Sequence, residues 1–219
     1  MALAPALPDP KPRLRGWLHA GAFPVALLAG LALTATAPTL AGRVSAAIYV
    51  AASGLLFGVS ALYHRTSLTQ RATAALKRLD HANIYLIIAG TYTPIAVLAL
   101  DGTARTALLA VIWAGAAAGV VFRVLWHGAP RWLYTALYIV LGWAAVFVTP
   151  QLAAGAGVAA TVLIFAGGVL YTVGGVVYAL KRPNPSVRWF GFHEVFHAFT
   201  IAAYVAQFAA VALVIQSAA

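Results

Sequence analysis

Apolar residues in this chain gather into long blocks rather than alternating singly with polar ones. Seven blocks stand out, near 16–37, 42–63, 81–100, 106–122, 132–149, 157–179 and 191–216. A bilayer core about 30 Å thick needs about 20 mostly apolar residues for each helical crossing. The blocks match that length, the fourth and fifth being the shortest. Brief segments with Pro, Gly and basic residues separate them, such as KRPNPSVRWF at 181–190, and leave no room for a soluble domain. The pattern predicts an all-α, seven-transmembrane helix bundle over 16–219, preceded by a short tail over 1–15.

Composition strengthens this reading. Hydrophobic residues make up 63% of the chain and charged ones 8%, against about 25% charged in soluble domains. A water-soluble enzyme, a coiled coil and a disordered chain are excluded. The formal charge is +10, from fourteen Lys and Arg against four acids. Its placement explains it. Lys11, Arg13, Arg15, Arg65, Arg71, Lys77, Arg78, Arg123, Arg131, Lys181, Arg182 and Arg188 fall on one predicted side, and only Arg43 and Arg105 on the other. That split of twelve to two predicts a cytoplasmic N-terminus, hence a C-terminus outside, and calls for no nucleic-acid partner. The absence of cysteine removes disulfides and thiolate chemistry.

Smaller signals fit the same frame. Residues 11–37 resemble a signal peptide, but the apolar run is too long, which favours an uncleaved first span. Trp17, Trp113, Trp126, Trp132 and Trp189 lie near predicted span ends, where interfacial anchors sit. Gly54-x-x-x-Gly58 and Gly115-x-x-x-Gly119 suit close helix packing within one bundle. Thr91, Thr93 and Pro94 suggest a kink whose freed backbone groups are met by hydroxyls.

Ionisable groups inside a membrane are costly, so each is a candidate for function. They cluster at the predicted cytoplasmic ends of three spans: Ser60 and His64 on the second, Asp80 on the third, and His193, Glu194 and His197 on the seventh. Residues four apart share a helix face, so His193 and His197 can grip one ion. Ser60 and His64 direct a third imidazole and a hydroxyl at the same depth. Three His ligands with an open position describe a catalytic zinc site, and without cysteine the predicted cofactor is Zn²⁺. Asp80 is the candidate base for a water activated by the metal. HEVFH also matches H-E-x-x-H, in which Glu194 would be the base of a zinc protease. The motif alone does not choose between the two carboxylates. His19, His81 and His127 read as interfacial histidines.

Taken together, Ser60-x-x-x-His64, Leu79-Asp80 and His193-x-x-x-His197 resemble the signature of the hemolysin III and progestin/adipoQ receptor families, and more distantly that of the alkaline ceramidases. LDHANIYLIIAGTYTP at 79–94 looks especially like the bacterial hemolysin III branch. The resemblance implies zinc on His64, His193 and His197, Asp80 hydrogen-bonded to the metal's water, and Ser60 supporting the site. It also implies a multi-pass protein of a bacterial plasma membrane, with membrane lipids as partners. Hormone binding of the receptor type is not implied, because the longer cytoplasmic N-terminal region is missing.

The leading expectation is a zinc-dependent hydrolase of a ceramide-like lipid amide at the cytoplasmic leaflet. The alternatives are a non-enzymatic receptor or regulator of membrane lipids with a structural zinc, and an intramembrane protease using Glu194. A pore is disfavoured, because the spans offer almost no charged lining away from one site. Oligomeric state is not legible in the sequence.

Overall fold

A computed structural model describes residues 11–126 and 128–218. Asp9, most of the expected tail and His127 lie outside the described residues. The chain forms α1 (Trp17–Thr36), α2 (Leu40–Arg65), α3 (Gln70–Ala99), α4 (Gly102–Leu125), α5 (Arg131–Gly142), a short 3-10 helix (Ala144–Val148), α6 (Thr149–Leu180) and α7 (Phe192–Gln216). Among the described residues there is no named strand, only an isolated bridge between Ser186 and Phe190.

Local signals set the boundaries. Thr39 and Thr69 cap α2 and α3 through hydrogen bonds from the Gly42 and Ala72 N–H groups, at 3.1 and 3.3 Å. Glu194 caps α7 by accepting from the Gly191 N–H at 2.8 Å. α6 is interrupted at Gly157, whose φ of 79° only glycine adopts without strain.

α3 occupies the middle of the bundle, packing on α2, α4, α5, α6 and α7. Its buried face includes Tyr85, Ile87, Ala89, Ile95 and Ala96. The outward faces carry large apolar side chains such as Leu28, Leu125, Val140 and Phe147, as a lipid-facing surface requires. The paired glycines pack inside this bundle: Gly58 lies against Phe23, Gly115 against Leu141 and Gly119 against Tyr85.

Two expectations change. The seven apolar blocks become six segments long and apolar enough to cross a membrane, because Arg131–Leu180 runs as a single 50-residue helical stretch. That stretch doubles back. Arg131 Nη1 donates to the Tyr178 carbonyl at 3.2 Å and Trp143 Nε1 to Thr172 Oγ1 at 2.9 Å, so α5 and α6 lie antiparallel. The third span also starts earlier than expected. Gln70–Lys77 is helical, and only Thr66–Thr69 separates α2 from α3. Charge marks where a helix leaves the apolar layer, whereas Thr69 marks where it begins. Asp80 is therefore three turns inside a helix rather than at its start. Likewise, α3 continues unbroken across Pro94, with the hydroxyls of Thr91 and Thr93 donating to the carbonyls of Ile87 and Ala89 at 2.7 and 2.8 Å.

The basic ends of the helices meet. Arg13 N–H donates to the Arg188 carbonyl at 2.9 Å, and Leu14 N–H to the Trp189 carbonyl at 3.2 Å. Arg65 lies 3.9 Å over the Trp17 ring. Arg13 and Leu14 of the expected tail are thus fastened to the connection between α6 and α7.

Candidate metal centre

At this basic end, the last turn of α2 and the first two turns of α7 bring three imidazoles together. One ligating atom each from His64, His193 and His197 lies within 4.8 Å of the others. His64 Nε2 and His193 Nε2 are 3.1 Å apart. Two nitrogens sharing a tetrahedral zinc at about 2.0–2.1 Å would stand about 3.4 Å apart, so this pair is near ligand spacing. Gly16 makes the approach possible. It adopts φ 81° at the start of α1, and a Cβ there would lie 2.5 Å from His64 Cβ.

The donor set fits a zinc-like ion: three imidazoles, no thiolate, and a carboxylate held just outside bonding range. Asp80 Oδ2 lies 3.9 Å from His64 Nε2, with a side chain only 13% exposed. It is placed to touch a small molecule held by the histidines rather than to ligate with them. Ser60, one turn before His64, has a buried hydroxyl with no protein partner among the described residues.

Glu194 sits differently. Its Oε1 pairs with Arg15 and its Oε2 accepts from the Gly191 N–H, and the residue is 1% exposed. Both oxygens are engaged in holding the α7 terminus and the segment before α1. Within the H-E-x-x-H spacing, the two histidines face the cluster while Glu194 caps the helix.

Two histidines expected at the interface are part of the site. His19 is 3% exposed and stacks on His197, with ring centroids 3.7 Å apart and planes 6° from parallel. Its edge meets Phe57 at 5.1 Å. His19 has no i+4 partner on α1, so the spacing rule passed over it, although its depth matched that of His64. His81 contacts Asp80 Oδ2 at 4.0 Å and the Tyr178 hydroxyl at 3.1 Å. Tyr178, on α6, carried no sequence signal.

The centre opens into a largely apolar cavity of about 120 Å³ between α3, α5, α6 and α7. Asp80, His193 and His197 stand at one end, Tyr92, Trp143 and Gln207 toward the other, with Ile84 and Ile88 along the wall.

A family model described as "Haemolysin-III related" matches residues 9–208. The chain belongs to that family. It is 35% identical over 166 residues to the "Hemolysin-3 homolog" of Bacillus subtilis (strain 168), covering 75% of this chain and 74% of that one. It is also 29% identical over 163 residues to "Hemolysin-3" of Bacillus cereus, with 74% and 71% covered. The family match takes in α1 to α6 and most of α7, so it contains all three histidines and Asp80. Family membership and the apolar helices together make this haemolysin-III-related chain an integral, multi-pass membrane protein.

Proposed function

We propose that this haemolysin-III-related protein is a zinc-dependent hydrolase of lipid amides, ceramide-like in type, acting at the cytoplasmic leaflet of a bacterial plasma membrane. The observation that carries the reading is the convergence of His64, His193 and His197 beside Asp80 at the mouth of an apolar cavity. His64, His193 and His197 would hold the ion, which when bound supplies a Lewis acid and brings the pKa of a water to about 7. Asp80 Oδ2 orients the attacking water, accepts its proton, and returns that proton to the departing amine nitrogen. The cavity walls take up the acyl chain and keep bulk water from the reacting carbonyl. Ser60 offers a hydrogen bond behind Asp80 and His64.

Seven crossings with the N-terminus inside are part of the proposal. α5, with 12 residues, rises about 18 Å, and the 3-10 helix, with five, adds about 10 Å. With the residues of α6 up to the break at Gly157 they reach the apolar thickness of about 30 Å, and α6 beyond Gly157 returns antiparallel as the next crossing. The gathering of twelve of the fourteen basic side chains at the ends near the histidines supports a cytoplasmic site. Glu194 is already committed to Arg15 and Gly191, which speaks for Asp80 as the base and against the protease reading.

The test is zinc-loaded protein in nanodiscs against a panel of N-acyl lipids. Fatty-acid release by the wild type and its loss in Asp80→Asn is the expected result. No release from any lipid amide by protein with bound zinc would contradict the hydrolase.

A further inference from the structure

A second polar feature lies at the same end of the bundle. Between α3, α4, α5 and α6 is a half-open recess of about 280 Å³, lined chiefly by Lys77, His81, Arg123, Arg131, Tyr134 and Tyr178. None of the lining residues is an acid. It shares only His81 and Tyr178 with the cavity below the histidines. Asp80, 4.0 Å from His81, lines the other cavity instead.

Arg123 decides what the recess is for. The residue is 5% exposed, and its Nε and Nη1 have no hydrogen-bond partner among the described residues. Its guanidinium is held 4.4 Å over the Tyr134 ring, a contact that leaves Nε and Nη1 unpaired among the described residues. Burying a cation without an anionic partner is strongly unfavourable, and basic side chains at span ends ordinarily extend to water or headgroups. Arg131 donates through one nitrogen to the Tyr178 carbonyl, and the exposed Lys77 stands at the rim. The uncharged groups satisfy one another. His81 Nδ1 donates to the Lys77 carbonyl at 2.7 Å, so its Nε2 can accept from the Tyr178 hydroxyl at 3.1 Å. The Tyr134 hydroxyl lies 3.3 Å from that of Tyr178. What faces the recess is three cations that repel each other unless an anion joins them.

We propose that this recess binds a phosphate group, gripped by the Arg123 guanidinium and flanked by Lys77 and Arg131. A planar guanidinium matches the spacing of phosphate oxygens, and basic pockets between helices at the cytoplasmic headgroup level hold anionic lipid heads. The phosphate is presented either by a phospholipid headgroup or as the free ion. Its place, across His81 and Tyr178 from Asp80, puts bound phosphate next to the hydrolytic site without using any of its ligands. The assignment stands independently of the metal reading.

The experiment uses the full chain in phosphatidylcholine nanodiscs, with two probes: fluorescently tailed phosphatidic acid at low mole fraction, and radiolabelled inorganic phosphate. Saturable binding of one phosphate per chain is expected. Arg123→Gln should weaken it about tenfold or more, and Lys77→Gln, at an exposed position where the fold makes no demand, about fivefold. Arg71→Gln and Arg78→Gln, basic residues of α3 outside the recess, should leave it within about twofold. His64→Ala should bind phosphate normally, which separates this proposal from the hydrolase. Binding of inorganic phosphate that competes with the lipid assigns the free ion; binding of the lipid alone assigns the headgroup. Absence of saturable binding by either probe, or wild-type affinity in both Arg123→Gln and Lys77→Gln, would overturn the proposal.

Discussion

The two ends of the bundle are built on opposite principles. At one end, the termini of α2 and α7 and the early turns of α3 bring together three facing imidazoles, a buried serine hydroxyl and the Asp80 carboxylate 3.9 Å from His64. At the other, the helix ends close on apolar residues: Ala37, Ala99, Leu100, Leu152, Val214 and Ile215 are all buried. The charges there are on the outside, as in the Arg105–Asp101 pair at 2.7 Å, where the Asp101 side chain is 98% exposed. One end satisfies its groups by packing. The other gathers polar and titratable groups, and the closed end and the α3 core hold in place the helices that carry them. Chemistry and stability should therefore separate under mutation.

The largest separation is expected at Asp80. Asp80→Asn should lower hydrolysis about 10³-fold, equivalent to about 4 kcal/mol of barrier, with zinc content and thermal stability unchanged; turnover assays and elemental analysis read this. Leu152→Ala reverses the pattern. Deleting a fully buried side chain at the closed end should cost about 2–5 kcal/mol of stability in reversible unfolding from mixed micelles, while purified folded protein keeps its metal.

Between these sits His19. His19→Ala removes the ring stacked on His197 and should weaken zinc binding about tenfold, in the range of groups that orient a ligand. His19→Phe, which keeps a flat ring, should restore most of it. Competition with a chelator measures both, and a failure of Phe to rescue would mean that His19 acts through its nitrogens instead. Glu194→Gln should destabilise by about 1–3 kcal/mol, since Arg15 loses its ion pair but can reach water. Its residual activity per folded molecule should stay near wild type, whereas a protease-type base would lose it. Smallest of all, Arg105→Gln should change stability by less than about 0.5 kcal/mol, as an exposed i,i+4 pair contributes little.

The same contrast explains what was legible in the sequence. Long apolar blocks marked α1, α2, α4 and α7 to within a few residues, because lipid demands apolar length and little else. The i,i+4 rule found His193 and His197, and equal depth added His64 and Asp80. The separate blocks at 132–149 and 157–179 anticipated the reversal, and the second begins at the Gly157 break. What escaped is that helix continues up to that glycine through the 3-10 helix and the first residues of α6. Helix starts escaped where a cap such as Thr69 stands twelve residues before the apolar block at 81–100. His19, Tyr178 and Arg123 have no like residue three or four positions away on their helices, so the spacing rule is silent on them. Their roles come from which helices become neighbours, and that is decided by packing around α3. Glu194 shows the opposite case, a residue inside a full motif whose two oxygens are engaged by the Gly191 N–H and by Arg15.

The central claim is that the three histidines form one metal site. Elemental analysis of purified wild type, His64→Ala and His193→Ala tests it most directly. The account predicts about one zinc per wild-type chain and almost none in either variant. Equal metal in all three, or no metal in folded wild type after zinc loading, would contradict it.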